Sequence, residues 1–230
     1  MLNYRPPPRS DEPRYCVCQV LSDHQVPYTI WFEDALYHYG VPTVLFDLYI
    51  LVPDLDEAAA VLVTAGWVID SQGRHKIGNA KVDFPQRRLL SPKGRTLTVL
   101  LPADEWKFPL MASPPVDHAT NFSFPPLSGL LDALIETWLD CPSDDCMLLI
   151  HLACQISYLY AHAPGLKRRE FAEQMKYEHR QFHFDVVAGM QTGTIPFRKH
   201  QRGIRDALRQ GDYELRECSA SRDNKDLFDN

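Results

Sequence analysis

The chain's apolar and polar positions are most sharply blocked between Val26 and Asp54, VPYTIWFEDALYHYGVPTVLFDLYILVPD, and the blocks predict strand, sharp turn, short helix, strand. Val26 to Phe32 is a β-rich apolar run, and Glu33-Asp34 breaks it ahead of a short helix over Ala35 to Tyr39 that Gly40 ends. Pro42 opens the next segment. Val44 to Val52 is apolar except at Asp47, the pattern of a buried central strand. Side chains alternate along a strand, so Asp47 and Tyr49 share one face and Phe46, Leu48 and Ile50 the other. A carboxylate inside such a strand is costly unless it is paired, hydrogen-bonded or bound to a cation. Asp47 is therefore the first candidate functional residue.

The same reading extends in both directions. Residues 1–13 carry four prolines and no period, which predicts a flexible leader. Arg14 to His24 fits a short helix. Asp54-Leu55-Asp56-Glu57 caps a helix over Ala58 to Ala65 that stops at Gly66. Trp67 to Ile69 reads as a short strand, residues 71–80 as a loop, and Lys81 to Leu90 with Thr96 to Leu101 as a hairpin across Ser91-Pro92-Lys93-Gly94. Six prolines in 102–126 predict a linker or lid. From Ser128 the period becomes helical, with Leu130, Leu131, Leu134, Ile135, Trp138 and Leu139 on one face. Asp144-Asp145 leads into Cys146 to Tyr160, apolar almost all round and expected at the centre of a small bundle. Lys167 to Met190 follows as a helix, then Phe197 to Gln210 with Gly211 as its stop, and 216–230 is a charged tail expected to be disordered. The division expected is 14–101, the 102–126 linker, and a helical domain over 127–215.

Composition narrows the function classes. A net charge of −6 offers no basic field for nucleic acid. No N-terminal h-region and no apolar run near membrane length occurs, so a soluble, cytoplasmic protein without a membrane partner is the expectation. The six cysteines match no secreted framework, and Cys16-x-Cys18 with Cys141-x4-Cys146 lacks the usual zinc spacing, so reduced thiols and no metal are expected. No P-loop, G-x-G-x-x-G or G-x-S-x-G motif follows a strand.

The layout from Val26 to Asp54 resembles the nucleotidyltransferase superfold, in which a strand leads through a Gly-Gly or Gly-Ser turn to a short helix and then to a strand bearing Asp-x-Asp. The resemblance implies an α+β fold: a nucleotidyltransferase-like mixed sheet flanked by helices, followed by a C-terminal helical bundle. In that family the aspartates and a third acid on a neighbouring strand hold Mg²⁺ on a nucleoside triphosphate. Here Glu33-Asp34 stands at the Gly-Gly turn, where carboxylates repel a triphosphate, and Asp47-Leu48-Tyr49 stands at Asp-x-Asp, where a phenol is a poor Mg²⁺ ligand. The hairpin strand offers Thr96 and Thr98 in place of a third acid, with Asp83 the nearest carboxylate. The pattern also resembles fungal members of the superfold, which implies a setting in secondary metabolism.

These residues set the functional expectation. Glu33, Asp47, Tyr49 and Arg88 are candidate catalytic groups, with Arg87 and Arg88 as counter-charges. Trp31, Asp34, Thr98, His151, Tyr158, His179 and His183 are candidate substrate contacts. His179 and His183 have the i, i+4 spacing of a metal pair but lack a carboxylate beside both, which favours packing or hydrogen bonding. A cofactor-independent enzyme is expected, a cyclase or pericyclase shaping an apolar small molecule in an inter-domain cleft. The alternatives are a residual Mg²⁺-dependent nucleotidyltransferase, using Asp47 and Asp83, and a non-catalytic binding protein whose acidic cluster is closed by ion pairs. The substrate and the oligomeric state are not encoded in any motif.

Overall fold

The computed structural model describes residues 13–71, 75–92, 96–110, 122–142 and 146–220. Residues 1–12 of the predicted leader, the proline-rich core of the linker and the last ten residues fall outside them, as do Lys93-Gly94 and Asp144-Asp145. The chain forms two compact units: Met1–Ile77 with Lys81–Pro126, and Gly78–Ala80 with Leu127–Asn230.

The first unit is built on a five-stranded mixed sheet. Helix α1 (Cys16–Asp23) leads to strand β1 (Thr29–Trp31), helix α2 (Phe32–His38) and strand β2 (Leu48–Val52); helix α3 (Leu55–Thr64) and strand β3 (Val68–Ile69) follow. Two short strands, β4 (Lys76–Ile77) and β5 (Ala80–Lys81), lie where a loop was expected. Strand β6 (Arg87–Leu90) and strand β7 (Leu97–Pro102) form the predicted hairpin in antiparallel register, though β6 begins well after Lys81. The sheet order is β1-β2-β7-β6-β3, with β2 and β7 parallel and the other pairs antiparallel. Every residue of β2 is buried, as its unbroken apolar run requires.

Two boundaries differ from the pattern, and both matter. Strand β2 starts at Leu48, so Asp47 stands at its mouth instead of mid-strand, while Val44 and Phe46 ahead of it are 64% and 74% exposed. An apolar run has no mark that separates a buried strand from an exposed loop. Helix α2 begins at Phe32, not after Asp34, and Phe32 carries the turn itself with φ of 52°. A bulky side chain in left-handed backbone is strained, and a wholly buried aromatic cluster holds it there: Phe32 meets Tyr49 edge-on at 5.2 Å and Trp106 at 4.9 Å.

In the second unit, helix α4 (Leu127–Asp140) and helix α5 (Cys146–His162) precede a helix α6 of only Arg180–Val187, and helix α7 (Ile195–Gln210) closes the order. The single helix expected over Lys167 to Met190 is broken into three 3₁₀ stretches ahead of α6. Gly211, at φ of 81°, ends α7 as predicted.

The cap read from sequence on α3 is made: the Asp54 carboxylate accepts from the backbone N–H groups of Asp56 and Glu57 at 2.8 and 2.9 Å. Asp54→Ala is expected to cost about 1 kcal/mol in urea unfolding, and Asp54→Ser to recover most of it.

Candidate functional site

Strand register places the site before any side-chain distance is measured. Trp31 pairs with Tyr49, Tyr49 with Val99, and Val99 with Arg88, so these four stand in one row across one face of the sheet. All are buried. Thr98 is one residue out of step. It lies on the opposite face between Leu48 and Leu89, and the structure does not bring it to Tyr49 and Arg88.

Charged groups gather where the row meets the mouth of β2. The Arg88 guanidinium donates to Asp47 Oδ2 at 3.2 Å and lies 3.9 Å from Asp70 Oδ2, with Gln86 Oε1 at 3.5 Å. Asp34 is wholly buried: Arg14 donates to both its oxygens at 2.8 and 2.7 Å, and the Tyr15 hydroxyl adds a third bond at 2.7 Å. Arg14 also donates to the Phe46 and Asp47 carbonyls at 2.9 and 3.0 Å. Burial opposes its charge, but the bonds to Asp34 prevail and raise its pKa.

Glu33 opens α2 beside this cluster. Burial pushes its carboxyl up; its own backbone N–H opposes this, the negative charge of Asp34 adds to it, Arg14 opposes it and Asp47 adds again, leaving a pKa of about 7. That is the range in which a carboxyl can both give and take a proton near neutrality.

A cation is thus already present among these acids, and it is a guanidinium. Asp83 is exposed, on the segment between β5 and β6. Arg87 turns to exposed Asp56 at 2.6 Å, a surface pair of little weight. Among the described residues no group of three or more His, Cys, Asp or Glu is disposed to hold a metal ion. Nor is any helix among them long and apolar enough to cross a membrane.

His151, Tyr158, His179 and His183 belong to the second unit. Tyr158 is half-exposed. His151 accepts from Gln155 Nε2 at 2.9 Å, and burial lowers its pKa to about 4. His179 and His183 do not act as a pair. His183 lies between the Tyr160 hydroxyl and the Arg168 carbonyl, both at 3.0 Å, and burial lowers its pKa. His179 is wholly buried, with Nδ1 2.8 Å from Asp132 Oδ1 and Nε2 2.7 Å from Glu136 Oε2. Two carboxylate acceptors require two N–H donors, hence an imidazolium. Burial opposes that charge, but both hydrogen bonds outweigh it and raise the pKa.

Glu136 is also bound by Arg205 at 3.0 Å and Arg209 at 2.9 Å. Burial pushes it up, yet His179 and then the arginines bring it down to about 2. Sequence reasoning missed this network. Its signal was present: Asp132 and Glu136 interrupt the apolar run of α4 at i, i+4, and Arg205 and Arg209 repeat that spacing on α7.

No family model and no curated protein matches the chain. Among solved structures, JHP933 from Helicobacter pylori is similar over 85% of this chain and 88% of that one, at 12% identity and a TM-score of 0.34. A second H. pylori structure, provisionally labelled a nucleotidyltransferase, is similar over 85% and 91%, also at 12% identity and 0.34. Likeness at this distance carries nothing about activity.

Two pH effects follow. Because the folded-state pKa of Glu33 is raised, the unfolded chain binds the proton less tightly, and stability falls as pH rises from about 4.5 towards 7. Glu33→Gln should remove that slope, leaving the variant about 1–2 kcal/mol more stable than wild type at pH 8 and little changed at pH 4, by urea unfolding. The His179 contribution runs the same way as that of Glu33, and the Glu136 contribution runs the other way. That of His179 is complete below the ordinary value of 6.5 and lost as pH climbs through the raised folded pKa, while that of Glu136 is complete above 4.5 and lost as pH drops towards 2. His179→Gln should cost roughly 3–5 kcal/mol between those limits, and the gap should narrow on either side.

Proposed function

We propose that the first unit is a degenerate nucleotidyltransferase-like domain whose acidic end serves cofactor-independent proton transfer on a small, largely apolar molecule. The observation that supports this most directly is the placement of Glu33: a carboxyl near neutral pKa, on a strained strand-to-helix turn, beside a half-buried Arg88–Asp47 pair. Strain persists where the surrounding structure over-determines it, and such positions cluster at functional turns. In this reading Glu33 is the general acid–base. Arg88, oriented by Asp47 and Asp70, donates hydrogen bonds to a substrate carbonyl or enolate oxygen. Tyr49 and Trp31 are positioning residues in the packed row. Asp34 is a structural anchor, since Arg14 and Tyr15 occupy it.

Cyclisation or isomerisation next to a carbonyl is the reaction class that two such groups serve. A pericyclic step needs no acid–base pair, and neither the site nor the distant likenesses speak for one or for secondary metabolism. The transferase alternative is disfavoured by Arg88, which engages the carboxylate a Mg²⁺ ion would need. One observation favours a second, non-catalytic reading: Arg14–Asp34 and Arg88–Asp47 are the ion pairs by which such a cluster would be closed.

Titration with a panel of apolar ketones and α,β-unsaturated carbonyls, followed by amide NMR, should shift Phe32 to Asp34 and Asp47. Glu33→Ala should weaken that binding about tenfold or more. Calorimetry with ATP and Mg²⁺ is expected to show no binding. Binding that requires Mg²⁺ and disappears in Asp47→Asn would overturn the proposal in favour of a transferase, and a flat response to the whole panel would favour the non-catalytic reading.

A further inference from the structure

Helix α5 carries no Asp, Glu, Lys or Arg along its length. A helix with so few polar side chains calls for cover over most of its surface. One face has it: Leu148, Leu152, Ile156 and Leu159 are buried. The opposite face does not. Met147, Ile150 and Tyr158 are 49%, 57% and 50% exposed, and Cys154 and Ala161 are exposed in the same stripe. At 3.6 residues per turn these five positions fall on one side of the helix.

Their spacing is symmetric. Ile150 and Tyr158 lie four residues to either side of Cys154, and Met147 and Ala161 lie seven. A stripe so arranged is its own complement. If a second helix crosses it antiparallel on a two-fold axis through Cys154, Ile150 faces Tyr158, Met147 faces Ala161, and Cys154 faces its own copy. No like charges oppose each other across such a contact, and a small side chain at the crossing point lets the backbones approach.

We propose that this face is an isologous interface with a second copy of the chain, centred on Cys154. The stripe is roughly 20 Å long and by itself covers less than the ~800 Å² per partner of a standard interface. The dimer is therefore a weak one, in the micromolar range. Cys154 is a free thiol and marks the axis.

Sedimentation of the full chain under reducing conditions, from about 1 to 200 μM, should show a reversible monomer–dimer equilibrium. Ile150→Glu buries a charge against Tyr158 of the second copy and should weaken the dimer by about 100-fold or more. Its unfolding temperature should stay unchanged, because the position faces solvent in the monomer. Mild oxidation should trap a disulfide-linked dimer that Cys154→Ser abolishes and Ile150→Glu slows at least tenfold. A chain that stays monomeric throughout the range, or a dimer that Ile150→Glu leaves intact, would overturn the proposal. So would a monomer that adsorbs to phosphatidylcholine vesicles through this stripe, which would make lipid the occupant.

Discussion

The first unit depends on one buried ion pair, Arg14 with Asp34. Asp34 has no access to water, and a carboxylate in that position without a partner would cost several kcal/mol. Arg14 meets that demand with two parallel bonds, and Tyr15 supplies a third. The remaining donors of the same guanidinium reach the carbonyls of Phe46 and Asp47, just ahead of β2. One side chain therefore fixes the start of α2 against the start of β2. Those are the two segments that carry Glu33 and Asp47, so a single side chain ties the two sides of the acidic cluster together.

The strained turn and the raised carboxyl belong to one arrangement. Phe32 is held in left-handed backbone by Tyr49 and Trp106, and its helical successor Glu33 is drawn into the same low-dielectric surroundings. Desolvation, Asp34 and Asp47 all favour the protonated form of Glu33. The same end of the sheet therefore carries a strained turn, an Arg88–Asp47 ion pair and a carboxyl whose protonated form its surroundings favour.

What the chain disclosed in advance was what short-range physics determines. The Asp54 cap, the Gly211 stop and the β6–β7 hairpin were all legible because each rests on residues within a turn of one another. Arg88 was legible as a counter-charge for Asp47, although 41 residues separate them, because arginine is the only kind of charge on the paired hairpin strand. The partner of Asp34 was not: Arg14 lies 20 residues away on another element. Thr98 was misplaced for a related reason: only the register of β7 against β2 and β6 decides which of two adjacent side chains faces Arg88. The break in Lys167 to Met190 left no helix-ending signal strong enough to read, because 3₁₀ and α-helix share much the same residue preferences.

The second unit inverts the usual distribution of polarity between its helices. Helix α4 buries Asp132 and Glu136 in an otherwise apolar stretch, and α5, which packs on it, shows uncharged side chains to solvent. The first choice is tolerable because each buried acid has directed partners: His179 bridges both, and Arg205 and Arg209 satisfy Glu136. Directional bonds of this kind admit one register of α7 and the Tyr177–His179 turn against α4, where apolar contact alone would admit several. The second choice has no such internal compensation. An uncharged stripe costs little in the folded monomer, but it adds nothing to the folding of the unit that displays it. Leu148, Leu152, Ile156 and Leu159 already supply the contact that holds α5 in place, so the composition of the outer stripe is set by something other than the stability of the single chain.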